Sequence, residues 1–304
     1  MQNDNNKNND TQLELFKIIQ NTYNSFYVIT LSKKGNLLMG GDFDGNMFLY
    51  NNLNLIKSYK YHKKFIITLK FSYSGKYLAS GSADCNIGRI EFDGIQQVQF
   101  RLLCHHTAYV MKVDFSPNEN YLITAGSDKQ LLVFNSQSCE LLSKYYFPYG
   151  LNFVQFINHT KLFIYGTFGP INLNNFPEIM KNEKMKSLQY QIKQVSVINS
   201  ISNSQLFLIN GQKRSKIYLV NQVNFKILRK FITKYQHDVM HLHLTNSKAI
   251  FTTSENIEIV DWMTAKLLHI LDSCTSMGTS IVSEDGVYLY TISRNSIKIW
   301  ILKK

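Results

Sequence analysis

Cysteine is scarce in this chain and scattered where it occurs. Its 304 residues hold four, Cys85, Cys104, Cys139 and Cys274, and no two form a C-x-x-C pair. That spacing argues against a disulfide-dense secreted scaffold and supplies no thiol set for zinc. Long apolar runs are lacking too, none approaching the ~18 residues of a membrane-spanning helix. The stretch from Met1 to Asp10 is polar and has no apolar signal-peptide core. It reads as a disordered Asn-rich tail over residues 1–10, and the chain as soluble and cytoplasmic.

Acidic residues are also in short supply, 21 against 33 Lys and Arg, for a formal charge of +12. Two readings of that excess stay open. A basic surface attracts nucleic acid, anionic lipid or acidic proteins. A chain-wide bias towards Lys and Asn, such as an AT-rich genome produces, gives the same number with lysines spread over a solvated surface. The apolar fraction of 44% and aromatic fraction of 13% are ample for a core, and Tyr and Phe favour strands.

One phrase occurs three times. Gly75-Lys-Tyr-Leu-Ala-Ser-Gly-Ser-Ala-Asp84 is echoed by Asn120-Tyr-Leu-Ile-Thr-Ala-Gly-Ser-Asp128, and more loosely by Gly35-Asn-Leu-Leu-Met-Gly-Gly-Asp-Phe-Asp44. A spacing of about 40 residues is the period of propeller blades. In the clearest copy, Val110, Val113 and Phe115 have the spacing of a strand with one buried face. A turn cluster at 116–120, a second strand at 121–125, a tight turn at 126–128 and a third strand at 131–134 follow. Residues 139–147 read as a fourth, outer strand, and four antiparallel strands make a blade.

Following the period gives seven units, with the turn after the first strand near Ser32, Ser72, Ser116, Asn158, Ser200, Asn246 and Ser283. Third strands are expected at 47–50, 87–90, 131–134, 171–173, 217–220, 257–260 and 297–300. The last unit has no outer strand after its third, while a spare strand-like segment, residues 11–20, precedes the first. The expectation is therefore all-β: a single domain over 11–304, a seven-bladed propeller closed by that N-terminal outer strand.

In these residues and their spacing, the chain resembles a WD40-repeat protein. The third unit carries His106, Val110, Val113, Phe115-Ser-Pro117, Ala125-Gly-Ser-Asp128 and Phe134-Asn135 in the family's order; the second carries His62, Ile66, Leu69, Phe71-Ser72, Ala79-Ser-Gly-Ser82 and Asp84. The Trp-Asp dipeptide is replaced in the third strands, by Tyr50-Asn51 and Phe134-Asn135 among others. The resemblance implies a structural network in each of two blades, His62 with Ser80 and Asp84, and His106 with Thr124 and Asp128. In the family, such a His bridges the turn Asp and the second-strand hydroxyl.

Ser, His and Asp also compose a hydrolase triad. Their recurrence argues for the structural role, since one enzyme needs one nucleophile, and no G-x-S-x-G elbow surrounds Ser80. Gly40, Gly41 and Gly81 read as blade-turn residues, not a phosphate-binding loop. His241 and His243 share a strand face at a spacing metal ligation would allow, but no matching carboxylate or thiol accompanies them. No catalytic residue, metal site or cofactor is expected.

Partner contacts are expected where the period breaks, in an irregular basic excursion over residues 168–193. Lys181, Lys184 and Lys186, with Met185 interleaved, have the makings of an amphipathic partner-binding element; the bland reading is a decayed blade. Trp262, just beyond a third strand, reads either as a partner contact or as packing under a loop. The function expected is a non-catalytic scaffold for protein–protein interactions in a multi-subunit assembly, with an axonemal or ciliary one as the narrower expectation. The alternative is a basic propeller on a ribonucleoprotein or an anionic membrane.

Overall fold

The structure, a computed structural model, describes residues 13–20, 25–159, 161–166, 169–173, 206–210, 216–221, 227–232, 239–245, 247–253, 256–272, 279–293 and 295–302. Among these there is no helix, and the strands form seven antiparallel sheets. After β1 (Leu13–Gln20), the first sheet holds β2 (Phe26–Leu31), β3 (Leu37–Asp42), β4 (Asn46–Asn51) and β5 (Asn54–Lys60). The second holds β6 (Ile66–Phe71), β7 (Tyr77–Ser82), β8 (Ile87–Asp93) and β9 (Gln96–Leu103). The third holds β10 (Val110–Phe115), β11 (Tyr121–Gly126), β12 (Gln130–Asn135) and β13 (Leu141–Tyr146).

Three described strands make the fourth sheet, β14 (Leu151–Asn158), β15 (Lys161–Gly166) and β16 (Gly169–Leu173). The fifth also has three, β17 (Leu206–Asn210), β18 (Lys216–Asn221) and β19 (Ile227–Ile232). The sixth has β20 (Val239–Leu244), β21 (Lys248–Thr253), β22 (Asn256–Asp261) and β23 (Leu267–Asp272). In the seventh, β24 (Ser280–Val282), β25 (Tyr288–Ser293) and β26 (Ser296–Leu302) are joined by β1, which pairs antiparallel with β26 from Leu13↔Leu302 to Gln20↔Ser296. Every expected third strand lies inside an observed one. The segment 1–10, the sequence 174–200 and the turns at Ser200 and Asn246 lie outside the described residues.

Among the described residues, the first sheet packs against the second and seventh, the third against the second and fourth, and the sixth against the fifth and seventh. This explains why inner strands such as β3 and β7 are buried throughout instead of alternating. Between the first two sheets lie Val28, Met39 and Leu49 against Ile66, Leu78 and Ile90. Between the second and third, Tyr77, Ala79 and Ile87 meet Val113, Leu122 and Phe134. Between the seventh and first, Tyr290, Ile297 and Ile299 meet Phe26, Ile29 and Phe48. Burying one such side chain contributes roughly 1.5–3 kcal/mol, so these layers carry most of the stabilisation.

Two devices recur and give the sheets their common shape. After the first strand, a serine hydroxyl accepts the N–H five residues on: Ser32 from Leu37, Ser72 from Tyr77, Ser116 from Tyr121 and Ser283 from Tyr288, at 2.9–3.1 Å. Near the start of the first strand the register slips, between Phe26 and Val28, Ile66 and Thr68, Val110 and Lys112, Leu151 and Phe153, and Val239 and His241. Such bulges increase local twist.

Glycines expected in turns are placed differently. Gly40 and Gly41 lie within β3 and Gly81 within β7. A methyl group at Gly81 would sit 2.6 Å from Val110 Cγ1 of the next sheet. Close packing between sheets, not turn geometry, requires glycine there.

Candidate functional site

The second and third sheets carry the same polar network, atom for atom. His62 Nε2 lies 2.8 Å from Ser80 Oγ on β7, and its Nδ1 lies 3.1 Å from both Asp84 carboxylate oxygens in the β7–β8 turn. His106 Nε2 lies 2.8 Å from Thr124 Oγ1, and its Nδ1 2.9 Å from both Asp128 oxygens. Each carboxylate also accepts the N–H after its histidine, from Lys63 and Thr107 at 2.8 Å, and an N–H of its own turn, from Asn86 and Gln130. The loop entering each sheet is thereby tied to the turn between its second and third strands.

Burial alone would raise the Asp84 carboxyl. Hydrogen bonds from His62, Lys63 and Asn86 outweigh it and hold the group well below the usual carboxylate range. Burial lowers His106, and the neighbouring Asp128 offsets this in part. These groups are closed to a substrate: Ser80, Thr124, His62 and His106 are buried, with no more than 6% of any residue exposed. A nucleophile must reach a reacting carbon, and neither hydroxyl does. The geometry is that of a brace.

The first sheet departs from its sequence echo. Asp44 aligns with Asp84 and Asp128 but is exposed, and Asp42 does the capping. Buried Asp42 accepts the Asp44 and Asn46 N–H groups and the Asn46 side-chain amide at 2.7–2.9 Å. At the position of Ser80 and Thr124 the first sheet has Gly40, so no hydroxyl is present for a histidine to hold. Aspartate's habit of capping the N–H two residues on is the signal in Asp42-Phe-Asp-Gly-Asn46 that could have found this. In the seventh sheet, Trp300 Nε1 donates to Thr291 Oγ1 at 3.0 Å, at the register where Phe134 faces Leu122 in the third.

Three polar links that the sequence reading missed join neighbouring sheets. Arg89 on β8 is fully buried, and its guanidinium donates to the Ser136 and Gln137 carbonyls of the third sheet and to Glu91 and Gln99. Asp114 on β10 accepts the Phe156 N–H of the fourth sheet at 2.7 Å, and lies 3.8 Å from the Lys70 ammonium of the second. Burial and Lys70 push neighbouring Lys112 down to about 8, although Asp114 opposes them. His243 Nε2 lies 2.9 Å from Ser280 Oγ across the sixth and seventh sheets, and Thr252 Oγ1 lies 2.8 Å from the same hydroxyl. Charged or polar residues inside apolar strands, as in Ile87-Gly-Arg-Ile90, were the available signal.

The expected partner contacts fare unevenly. Lys181, Lys184, Met185 and Lys186 lie outside the described residues. Trp262 is half-buried, packed against the core of the fifth and sixth sheets that includes Ile217, Phe231 and Phe251, and its backbone N–H donates to the Ser247 carbonyl. Among the described residues no three His, Cys, Asp or Glu side chains cluster to hold a metal ion.

Residues 53–88 and 97–135 match the family described as "WD domain, G-beta repeat". Over 134 residues the chain is 28% identical to a guanine nucleotide-binding protein subunit beta of Solanum tuberosum, an alignment covering 41% of this chain and 35% of that protein. A tobacco (Nicotiana tabacum) protein of the same name is likewise 28% identical, with 41% and 36% covered. Protein HIR1 of Candida albicans is 24% identical over 167 residues, covering 39% of this chain and 18% of that protein. The matched stretch is thus about a third or less of each relative's length.

Proposed function

We propose that this chain, which carries divergent WD40 repeats, is a non-catalytic scaffold that holds other proteins in a multi-subunit assembly. The observation carrying this reading is the repeated brace. His62–Ser80–Asp84 and His106–Thr124–Asp128 are buried, saturated with internal hydrogen bonds and alike in consecutive sheets. Residues that would make a catalytic site instead fix loops at one end of each sheet, and fixed loops are what recognition needs. In the same reading, the seven sheets are blades of one propeller, with the β1–β26 pair as its closure and the expected domain over 11–304. The Solanum and Nicotiana relatives are by name subunits of a larger guanine nucleotide-binding protein, which agrees with a role inside an assembly.

The cytoplasm is the proposed location. Its narrowing to a ciliary or axonemal assembly rests on the Lys- and Asn-rich composition alone. A tagged chain recovered from cells with a reproducible set of partners, retained in high salt, is the expected result. Partners that fall away log-linearly with salt and carry RNA would instead support the basic nucleic-acid-binding alternative. Imaging the tagged chain tests its location.

A further inference from the structure

Aromatic rings that are half-buried or exposed gather at one end of the first three sheets. Tyr27 is the second residue of β2, Phe43 lies in the β3–β4 turn, Phe65 just precedes β6 and Tyr109 just precedes β10. Their rings form a continuous string: Tyr27 to Phe43 at 5.2 Å, Tyr27 to Phe65 at 5.6 Å, Phe43 to Phe65 at 6.1 Å and Phe65 to Tyr109 at 6.0 Å between centres. Phe43 remains 40% exposed, Tyr109 47%, and nearby Tyr149, before β14, 56%. Backbone bonds hold these segments at one end, from Ala83 N–H to the Phe65 carbonyl and from Ser127 N–H to the Tyr109 carbonyl. A string of aromatics crossing three sheets, with exposed Phe43 and Tyr109 joined through half-buried Tyr27 and Phe65, is unusual for a surface meant only for water.

Charge at this end is one-sided. Lys63 and Lys64 precede Phe65 directly, and Lys129 lies in the turn that carries Ser127. All three are exposed, and none forms an ion pair among the described residues. The carboxylates of Asp84 and Asp128 are turned inward onto His62 and His106, and Asp42 is buried in its own turn. Only Asp44 shows a carboxylate outward in these three turns. The brace of the second and third sheets therefore also turns the Asp84 and Asp128 carboxylates away from the surface above it.

We infer that this end of the first three sheets docks an acidic protein segment bearing apolar side chains. The apolar groups would cover the Phe43–Phe65–Tyr109 string, and the acids would meet Lys63, Lys64 and Lys129. The inference rests on the scaffold reading and names a surface and a partner chemistry for it. Single-stranded nucleic acid is the less suitable occupant. Three of the four ring contacts are edge-to-face, at interplanar angles of 71–72°, so the rings form one island. Base stacking needs separate open faces, commonly joined by Arg, and these turns contribute no Arg.

The test measures fluorescence anisotropy of the full chain with three labelled probes. These are a 14-residue peptide of Asp, Glu, Leu and Phe (length of order one interface segment), the same peptide with Lys in place of the acids, and an oligouridine RNA. The acidic peptide is expected to bind at least ~10-fold more tightly than the basic one, a difference of about 1.4 kcal/mol. Either Phe43→Ser with Tyr109→Ser, or Lys63→Glu with Lys64→Glu and Lys129→Glu, should weaken it by a similar factor. Lys34→Glu, at the opposite end of the first sheet, should leave it unchanged. Thermal melts identify folded variants, and the lysine variant keeps the core intact if the aromatic one unfolds.

Equal binding of both peptides, binding untouched in the folded lysine variant, or tighter binding of the RNA would overturn the inference. Affinity capture separates it from the reading beneath it. Partners kept by the wild type and lost by the lysine variant support both. Partners kept by both leave the scaffold standing and remove this docking surface. A wild-type chain that captures no partner removes the scaffold reading itself.

Discussion

Arg89 lies over the face of Tyr77, its guanidinium carbon 4.3 Å from the ring centre, while its other side reaches the third sheet. A buried cation is tolerated here because Glu91 sits 2.9 Å away, and Gln99 and two backbone carbonyls accept further N–H groups. Arg89→Ala is expected to destabilise the protein by roughly 1–3 kcal/mol, because the Gln99 side chain and both carbonyls lose their donor while Glu91 keeps Lys76. Arg89→Lys should recover little, since an ammonium lacks the planar fork that spans these acceptors. Urea unfolding measures both; full recovery by Lys would show that charge alone matters.

The braces predict a gradient among three aspartates that look alike in sequence. Asp84→Ala and Asp128→Ala each leave a buried histidine, one loop N–H and one turn N–H short of acceptors. A loss of about 2–4 kcal/mol is expected for each. Asp44→Ala, at the exposed echo position, should change stability by no more than about 0.5–1 kcal/mol. In a double-mutant cycle, His106→Ala and Asp128→Ala should couple by at least about 1 kcal/mol. Additive losses would mean that the pair does not act as a unit.

Turn strain should respond in opposite directions in successive sheets. Gly45, Cys85 and Lys129 hold one turn position with φ of 86°, 69° and 69°. A methyl at Gly45 would also lie 2.5 Å from the His62 carbonyl oxygen. Gly45→Ala is therefore expected to destabilise by more than about 1 kcal/mol, and Cys85→Gly to stabilise by a few tenths up to about 1. Thermal melting of the two variants checks the signs.

Acid should weaken the contact between the sixth and seventh sheets. Burial pushes His243 down from 6.5 to about 4. The unfolded chain therefore takes up the proton first as pH falls. The stability that neutral His243 contributes is complete above about pH 6.5 and is lost progressively towards pH 4, by an amount of order 3 kcal/mol. His106, also lowered by burial, acts in the same sense. His243→Gln, which can still bond Ser280, should flatten unfolding free energy against pH over this window. An unchanged slope would exclude His243 as the sensitive group.

The regular part of this architecture was legible because its signals are local. Strand-turn-strand spacing, the serine turns and the His–Asp offset of 22 residues in the second and third sheets all lie within one unit. The bulges near the start of β2, β6, β10, β14 and β20 left no such trace, since a register slip belongs to the pairing and not to either strand. Gly40, Gly41 and Gly81 were misplaced into turns for a similar reason: their tight neighbours, such as Val110 beside Gly81, come from another strand or another sheet. The Asp44 echo misled because position was preserved while chemistry moved two residues back to Asp42. Arg89, Asp114 and the Tyr27–Phe43–Phe65–Tyr109 string each join different sheets, and a single unit read alone cannot show them.

The pairing of β1 with β26 has a consequence for biosynthesis. During translation, β1, with Leu15, Phe16 and Ile18 on its surface, is made roughly 290 residues before its partner strand. At about 5–20 residues per second, that interval lasts roughly a quarter of a minute to a minute. Throughout it the nascent chain trails a sticky, unmatched ribbon beside the ribosome. Yield in the cell should then depend on whatever shields that ribbon until β26 arrives.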